Sequence, residues 1–325
     1  MTRRLFLVSV AGAMAVASGG GAFAVTPVTP VTPAAPVKQI RVGYQKTSAL
    51  LVTKALGLLE KRFASEGVAV SWHDFQAGPP LLEALNAGAI DYGYTGDSPP
   101  IFAQAARAKL LYVAAIPARG EGQGIVVQAN SPIRTVADLK GRKVGVAKGS
   151  SGHNLLIASL ESAHVEWDEI SAIYLSPADA SAALANGAID AWSIWDPFYA
   201  IAEIGIKARS LPVDRNATRQ NSFFLANRDF TAKYPETVAA INAEVSKATD
   251  WAAAHRDETA KLFAEASGVD FVAQKRSVDR AEYTFSPLTP AVLDLQQQVA
   301  DRYFKLKLIP NRIDVREIVW EKARA

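Results

Sequence analysis

Ala84-Leu85-Asn86-Ala87-Gly88-Ala89-Ile90-Asp91 returns, 99 residues further on, as Ala183-Leu184-Ala185-Asn186-Gly187-Ala188-Ile189-Asp190, and Asp97 and Asp196 match at the same spacing. Each copy reads as the end of a helix, a glycine stop, a short apolar strand and then a turn. Two copies do not make a solenoid, which needs at least three stacked units, so the echo points to two lobes built on one plan. The plainer alternative is that Leu-x-x-Gly-x-Ile-Asp is a common helix-to-strand corner. The matched aspartates lie beyond that corner and favour the two-lobe reading.

Outward from the echo, strand and helix signals alternate, which predicts an α/β architecture. Ile40–Tyr44, Val68–Phe75 and Ile90–Tyr94 read as strands, with a helix over Ala49–Phe63 and a short one over Pro80–Ala87. Gly96-Asp97-Ser98-Pro99 opens a further helix, since Asp or Ser caps free N–H groups and Pro suits the first turn. The second series is Gly124–Gln128, Lys143–Ala147 and Ala188–Ile194 as strands, with Ser150–Ser162 as a helix. Ser222–Ala226 is one more strand, and Tyr234–Ala266 and Pro290–Phe304 are mostly helical.

The amino terminus reads as an address. Arg3 and Arg4 precede an uncharged stretch from Leu5 to Ala17, and Ala22-Phe23-Ala24 gives a small-x-small cleavage pattern, so residues 1–24 are expected to be a signal peptide. The apolar part is shorter than the ~20 residues that a membrane span needs. Thr2-Arg3-Arg4-Leu5-Phe6-Leu7 also resembles the twin-arginine signal, with Val8 in place of its usual Lys, so export by either the general or the twin-arginine route stays open. Residues 25–37 repeat Thr-Pro-Val and are expected to form a Pro-rich tether. No other run long and apolar enough for a span follows, and the expected destination is the periplasm.

Composition removes several classes of chemistry. The 325 residues suffice for about two domains. There is no cysteine, which excludes thiolate nucleophiles, Cys-ligated metal, disulfides and a lipoprotein anchor. A formal charge of +3 from 35 basic and 32 acidic side chains gives no footprint for nucleic acid. The four histidines, His73, His153, His164 and His255, form no His-x-x-x-His pair, so no metal is expected. Lys148-Gly149-Ser150 has the wrong order for a phosphate loop, and Gly120-Glu121-Gly122-Gln123-Gly124 lacks the third glycine of a dinucleotide fingerprint. Gly149-Ser150-Ser151-Gly152-His153 has His153 where a nucleophile elbow needs glycine. No catalytic residue and no cofactor is assigned.

What remains are turns rich in small donors. Gly96-Asp97-Ser98 and Gly149-Ser150-Ser151 each bring backbone N–H groups and hydroxyls to a helix start, where the dipole favours an anion. Each turn by itself is better explained by capping of its own helix. One in each lobe suggests two walls of a cleft.

These residues carry a family likeness. Val42-Gly43-Tyr44-Gln45-Lys46, Ala77-Gly78-Pro79-Pro80-Leu81-Leu82-Glu83-Ala84-Leu85-Asn86 and Thr95-Gly96-Asp97-Ser98-Pro99-Pro100 are similar to the first lobe of the aliphatic sulfonate-binding proteins of bacterial ABC importers. Ser131-Pro132-Ile133, Asp138-Leu139-Lys140-Gly141, Lys148–Ser151 with His153-Asn154-Leu155-Leu156, Pro177-Ala178-Asp179-Ala180 and Asp190-Ala191-Trp192-Ser193-Ile194-Trp195-Asp196-Pro197 resemble the same family, within the taurine, nitrate and sulfonate group. The likeness runs from about Ile40 to Trp320. It implies a type II periplasmic binding fold in which each lobe is a mixed sheet flanked by helices and two segments cross between lobes. Lobe I would hold residues 38–123 and 222–325, and lobe II residues 124–221.

The resemblance also implies a monomeric solute receptor that captures an alkanesulfonate and delivers it to an inner-membrane permease with a cytoplasmic ATPase. The head group would meet Gln45, Gly96, Asp97, Ser98, Ser150 and Ser151, with Trp195 and Asp196 closing from the second lobe. Arg119, His153 and Phe223 are further candidates. Trp192, Trp195, Phe198, Phe223 and Phe224 are available to cover an apolar tail. A carboxylate facing an anion would repel it, so Asp97 is expected to cap its own helix and offer the ligand only its N–H. Taurine, nitrate or another small anion is the neighbouring reading, and an organosulfur enzyme on the same architecture is the reading from another class.

Overall fold

The computed structural model describes residues 36–324. The expected signal peptide and nearly all of the Pro-rich tether lie outside the described residues. Val37, assigned to the tether from sequence, instead packs against the first core.

Ten strands form two five-stranded sheets. They are β1 Gln39–Tyr44, β2 Ala69–Asp74, β3 Tyr92–Gly96, β4 Leu110–Ala118, β5 Gln123–Val127, β6 Lys143–Val146, β7 Ser171–Tyr174, β8 Ala191–Trp195, β9 Arg209–Ser210 and β10 Gln220–Asn227. The first sheet has the order β2-β1-β3-β10-β4 and the second β7-β6-β8-β5-β9. In each, three strands run parallel and a fourth is antiparallel to its neighbours, β10 against β3 and β4 and β5 against β8 and β9. The two antiparallel strands are the ones that follow a crossing between sheets. The chain crosses at residues 119–122 and returns at residues 211–219.

The repeated stretch occupies equivalent places in both sheets. The helices Gly78–Asn86 and Pro177–Ala185 end at Gly88 and Gly187, with φ of 70° and 78°, a conformation that costs glycine little. Ala89 N donates to Ala84 O at 2.9 Å and Ala188 N to Ala183 O at 2.8 Å. Asp91 accepts from the backbone N–H of Arg41 at 2.8 Å, and Asp190 accepts in the same way from Lys143 at 2.8 Å. The aspartate that closes each copy therefore fastens the start of β3 or β8 to the parallel strand beside it, β1 or β6.

Both faces of each sheet are covered. Ile40, Val42 and Phe224 pack with Phe63, Ile241 and Phe263 on one face of the first sheet, while Tyr112, Phe223 and Leu225 meet Leu81, Val299 and Tyr303 on the other. In the second sheet Val144 and Val146 pack on Leu156, and Val126 and Trp192 pack with Leu184 and Tyr199. A strand buried on two sides reads as an unbroken apolar run, as Ser222–Ala226 does. The helix expected over Ala49–Phe63 is broken at Gly57 into Ala49–Ala55 and Leu58–Phe63. A helix not read from sequence, Phe271–Arg280, packs against the helix Phe198–Gly205 of the second sheet.

Candidate functional site

Parallel strands followed by helices bring their connecting turns to one side, and ligands of open α/β sheets bind at that edge. Here the turns after β1, β2, β3, β6 and β8 face one another across a cavity of about 230 Å³. Gln45, Ser48, Gly78 and Gly96 belong to the first sheet's wall, and Lys148, Ser150, Ser151, Trp195 and Asp196 to the second's. The floor is the first crossing, Arg119–Gln123, with Gln220 and Ser222.

Helix starts dominate one end. Ser48, Ala77 and Asp97 stand at N-cap positions without a side-chain cap, but Pro79, Pro80, Pro99 and Pro100 carry no N–H, so the second and third of these helices offer in their first turn only the N–H groups of Gly78 and Ser98, the latter buried against the Asp97 carboxyl. Such groups together carry a partial positive charge that suits an anion. Ser150 behaves otherwise, since its hydroxyl donates to Ala147 O at 2.7 Å and accepts from His153 N at 3.3 Å, capping its own helix. Ser151 is half-buried on the opposite wall, and a Cβ at Gly96 would lie 3.1 Å from Ser151 Cβ, close enough that a side chain there would push the walls apart by a few tenths of an ångström. The Gln45 amide donates to Tyr94 O at 3.1 Å.

Four residues selected from sequence do not reach the cavity. Asp97 and Ser98 are fully buried behind Gly96. Asp97 does not cap its own helix; it accepts from Ser98 Oγ at 2.9 Å and from Asn154 Nδ2 at 2.6 Å, a side chain of the helix Ser151–Ser162 in the second sheet. Its backbone carbonyl accepts from Gln296 at 2.7 Å. Burial pushes the Asp97 carboxyl up to about 6, against the pull of these hydrogen bonds. His153 is also sealed, its Nδ1 accepting from Gly149 N at 3.2 Å and its ring beside Trp167, Tyr174 and Tyr303. Burial first, and Lys148 second, lower it to about 4, so it is neutral. Phe223 lies in the core with its ring 4.7 Å from Tyr112, on the face of β10 turned away from the cleft.

The aromatic candidates divide in the same way. Trp192 and Phe224 are core residues, while Trp195 lines the cleft and is held edge-on by Phe198 at 6.1 Å. Tyr94, Ile116 and Pro79 add apolar wall that sequence did not single out.

Asp196 lines the cleft, but its carboxylate is engaged. Oδ1 accepts from Ala200 N at 3.0 Å and from Arg280 Nη2 at 3.1 Å, and Arg280 Nε stands 3.1 Å from Oδ2. Burial pushes the Asp196 carboxyl up to about 7, opposed by that guanidinium. Arg280 also meets Glu203 at 3.0 Å and lies 4.1 Å over the Tyr199 ring. Sequence reading missed Arg280 because its helix went unread; Gly268 with φ 73° and Asp270, which accepts from Val272 N at 2.8 Å, are the stop and start signals that mark it. Arg119 lines the cavity, but its side chain is largely exposed, 3.8 Å from Glu282.

Residues 45–259 match the family described as NMT1/THI5 like. A protein of Escherichia coli (strain K12) that carries the name of an aliphatic sulfonates-binding protein is 42% identical over 284 residues, covering 87% of this chain and 88% of that one. A Bacillus subtilis (strain 168) protein of the same name is 35% identical over 87% of this chain and 86% of its own length. The alkanesulfonate-binding protein SsuA of Xanthomonas axonopodis pv. citri, solved bound to MOPS, superposes with a TM-score of 0.83 at 39% identity, over 90% of this chain and all of that one.

Proposed function

The chain belongs to the NMT1/THI5-like family, and on that premise we propose that it is the solute-binding receptor of an ABC importer, taking aliphatic sulfonates into the cleft between its two sheets. The observation that carries this reading is the meeting of the turns at Ser48, Gly78 and Gly96, the first two opening helices without side-chain caps, at one end of a cleft whose other walls include Trp195, Tyr94 and Ile116. A sulfonate is a monoanion at every ordinary pH, and its three weakly basic oxygens suit many modest donors. Gly96, Ser150, Ser151 and Gln45 are the head-group residues, and Trp195 covers the tail. Residues 38–123 with 222–325 form one lobe and 124–221 the other, and the two crossings act as the hinge. The mature protein works in the periplasm and hands its cargo to a permease and its ATPase.

A receptor is favoured over an enzyme because the chain has no cysteine and its one histidine beside the cleft turns, His153, is sealed in the core. Thermal unfolding with butanesulfonate, taurine, sulfate and nitrate tests the assignment. A ligand that binds only the native state stabilises it by about 2.7 kcal/mol at 100 times its Kd. Butanesulfonate is expected to raise the melting temperature. A flat response to the sulfonates beside a clear response to nitrate or sulfate overturns the reading.

A further inference from the structure

The charged side chains of the cleft wall are balanced, and Arg119 and Arg280 stand in ion pairs. Arg119, Lys148 and Arg280 are the cations among the described lining residues, and Glu121, Asp196 and Glu282 the carboxylates. Arg119 faces Glu282. Arg280 stands between two carboxylates, its Nη2 donating to Asp196 Oδ1 at 3.1 Å, its Nε 3.1 Å from Oδ2 outside hydrogen-bond geometry, and Glu203 at 3.0 Å. Its side chain is 18% exposed and that of Asp196 9%, so water screens this pair little. Glu203 also meets Arg276 at 3.5 Å. Lys148 stands apart at 5.5 Å over the Tyr174 ring. Behind Gly96, the buried carboxyl of Asp97 adds a further acidic group next to the helix starts.

An anion entering this cleft therefore meets partial charges from helix starts and few unpaired cations. The helix starts suit one negative charge. A second charge on the same head group would face Glu121, Asp196 and Glu282 with Lys148 as the one lining cation outside an ion pair, and like charges brought together away from water repel strongly. Resting on the sulfonate reading above, we infer that Asp196 is a specificity-determining residue: by occupying Arg280 it makes the cleft accept a monoanionic head group and refuse a dianionic one of the same shape.

Butylphosphonate is the probe, because it has the shape of butanesulfonate but loses a second proton near neutral pH, while butanesulfonate stays a monoanion. Calorimetry on the mature protein gives the ratio of the two Kd values below and above that second ionisation. Dividing by the sulfonate Kd removes pH effects that act equally on both ligands. In wild type the ratio is expected to rise at least about tenfold as the phosphonate becomes dianionic. Asp196→Asn leaves Arg280 less occupied, and the rise should shrink to under about threefold. Glu203→Gln, outside the cleft wall, should shrink it by a smaller factor and serves if Asp196→Asn does not fold. A dianionic phosphonate that binds wild type as well as its monoanion overturns the inference, as does an equal rise in wild type and both variants. A wild type that ignores butanesulfonate overturns the sulfonate reading and this inference with it, and is distinguished by that arm alone.

Discussion

Asp97→Asn should change how stability depends on pH, and the direction follows from where the carboxyl sits. Asp97 is fully buried between the end of β3 and the helix Ser151–Ser162, with Ser98 Oγ and Asn154 Nδ2 as donors. Burial raises its folded-state value to about 6 from an ordinary 3.8. The folded protein therefore binds this proton at pH values where the unfolded chain has released it, and stability is lost as pH rises through about 6. The full effect is about 3 kcal/mol, and roughly half of it is recovered between about pH 8 and about pH 5. Asn at this position keeps the shape and an acceptor for Asn154 but does not titrate. Urea unfolding of both proteins across that range isolates the contribution, because His153, whose lowered value acts in the opposite direction, is common to both. Wild type should gain roughly 1 to 2 kcal/mol on Asp97→Asn as the pH falls. A difference that stays constant with pH, or that moves the other way, would refute the burial argument.

Trp195→Ala should steepen the loss of sulfonate affinity with tail length toward about 0.8 kcal/mol per methylene left uncovered, whereas Ser151→Ala should cost every sulfonate alike, by about 0.5 to 1.5 kcal/mol; calorimetry over a chain-length series separates them, and equal slopes in wild type and Trp195→Ala remove the tryptophan from the tail site. Gly120→Ala should destabilise more than Gly88→Ala: both need a left-handed backbone, at about 1 to 2 kcal/mol each, but a Cβ at Gly120 would also lie 2.6 Å from the Thr218 carbonyl of the other crossing, while Gly88 has open space. Equal unfolding midpoints for the two variants would mean that the crossings do not press on each other.

The parts of the fold that could be read from sequence are those whose cause is local. A helix that stops at Gly88 and a strand that starts at Asp91 need only neighbours, and the repeat at Gly187 and Asp190 doubles the signal. What eluded local reading was decided at a distance. β4 and the helix Phe271–Arg280 went unassigned, and the pairing of β10 between β3 and β4 joins segments more than a hundred residues apart. Loop closure of that length leaves no mark on either segment alone.

The cleft follows the same division. A glycine next to a helix start is a local feature that the chain itself displays, and Gly96 and Ser151, chosen on that ground, line the cavity together. Which of three consecutive residues turns inward depends on packing: in Gly96-Asp97-Ser98 only the first faces the cavity, because Tyr303 and Asn154 draw the other two inward. Family likeness carries over the kind of site but not the state of its groups. Asp196 was read as a ligand contact from its position after Trp195, yet its carboxylate is held by an arginine 84 residues later in the chain. The charge that the cleft wall presents there is that of a pair, set by Arg280 and its second carboxylate Glu203 as well as by Asp196.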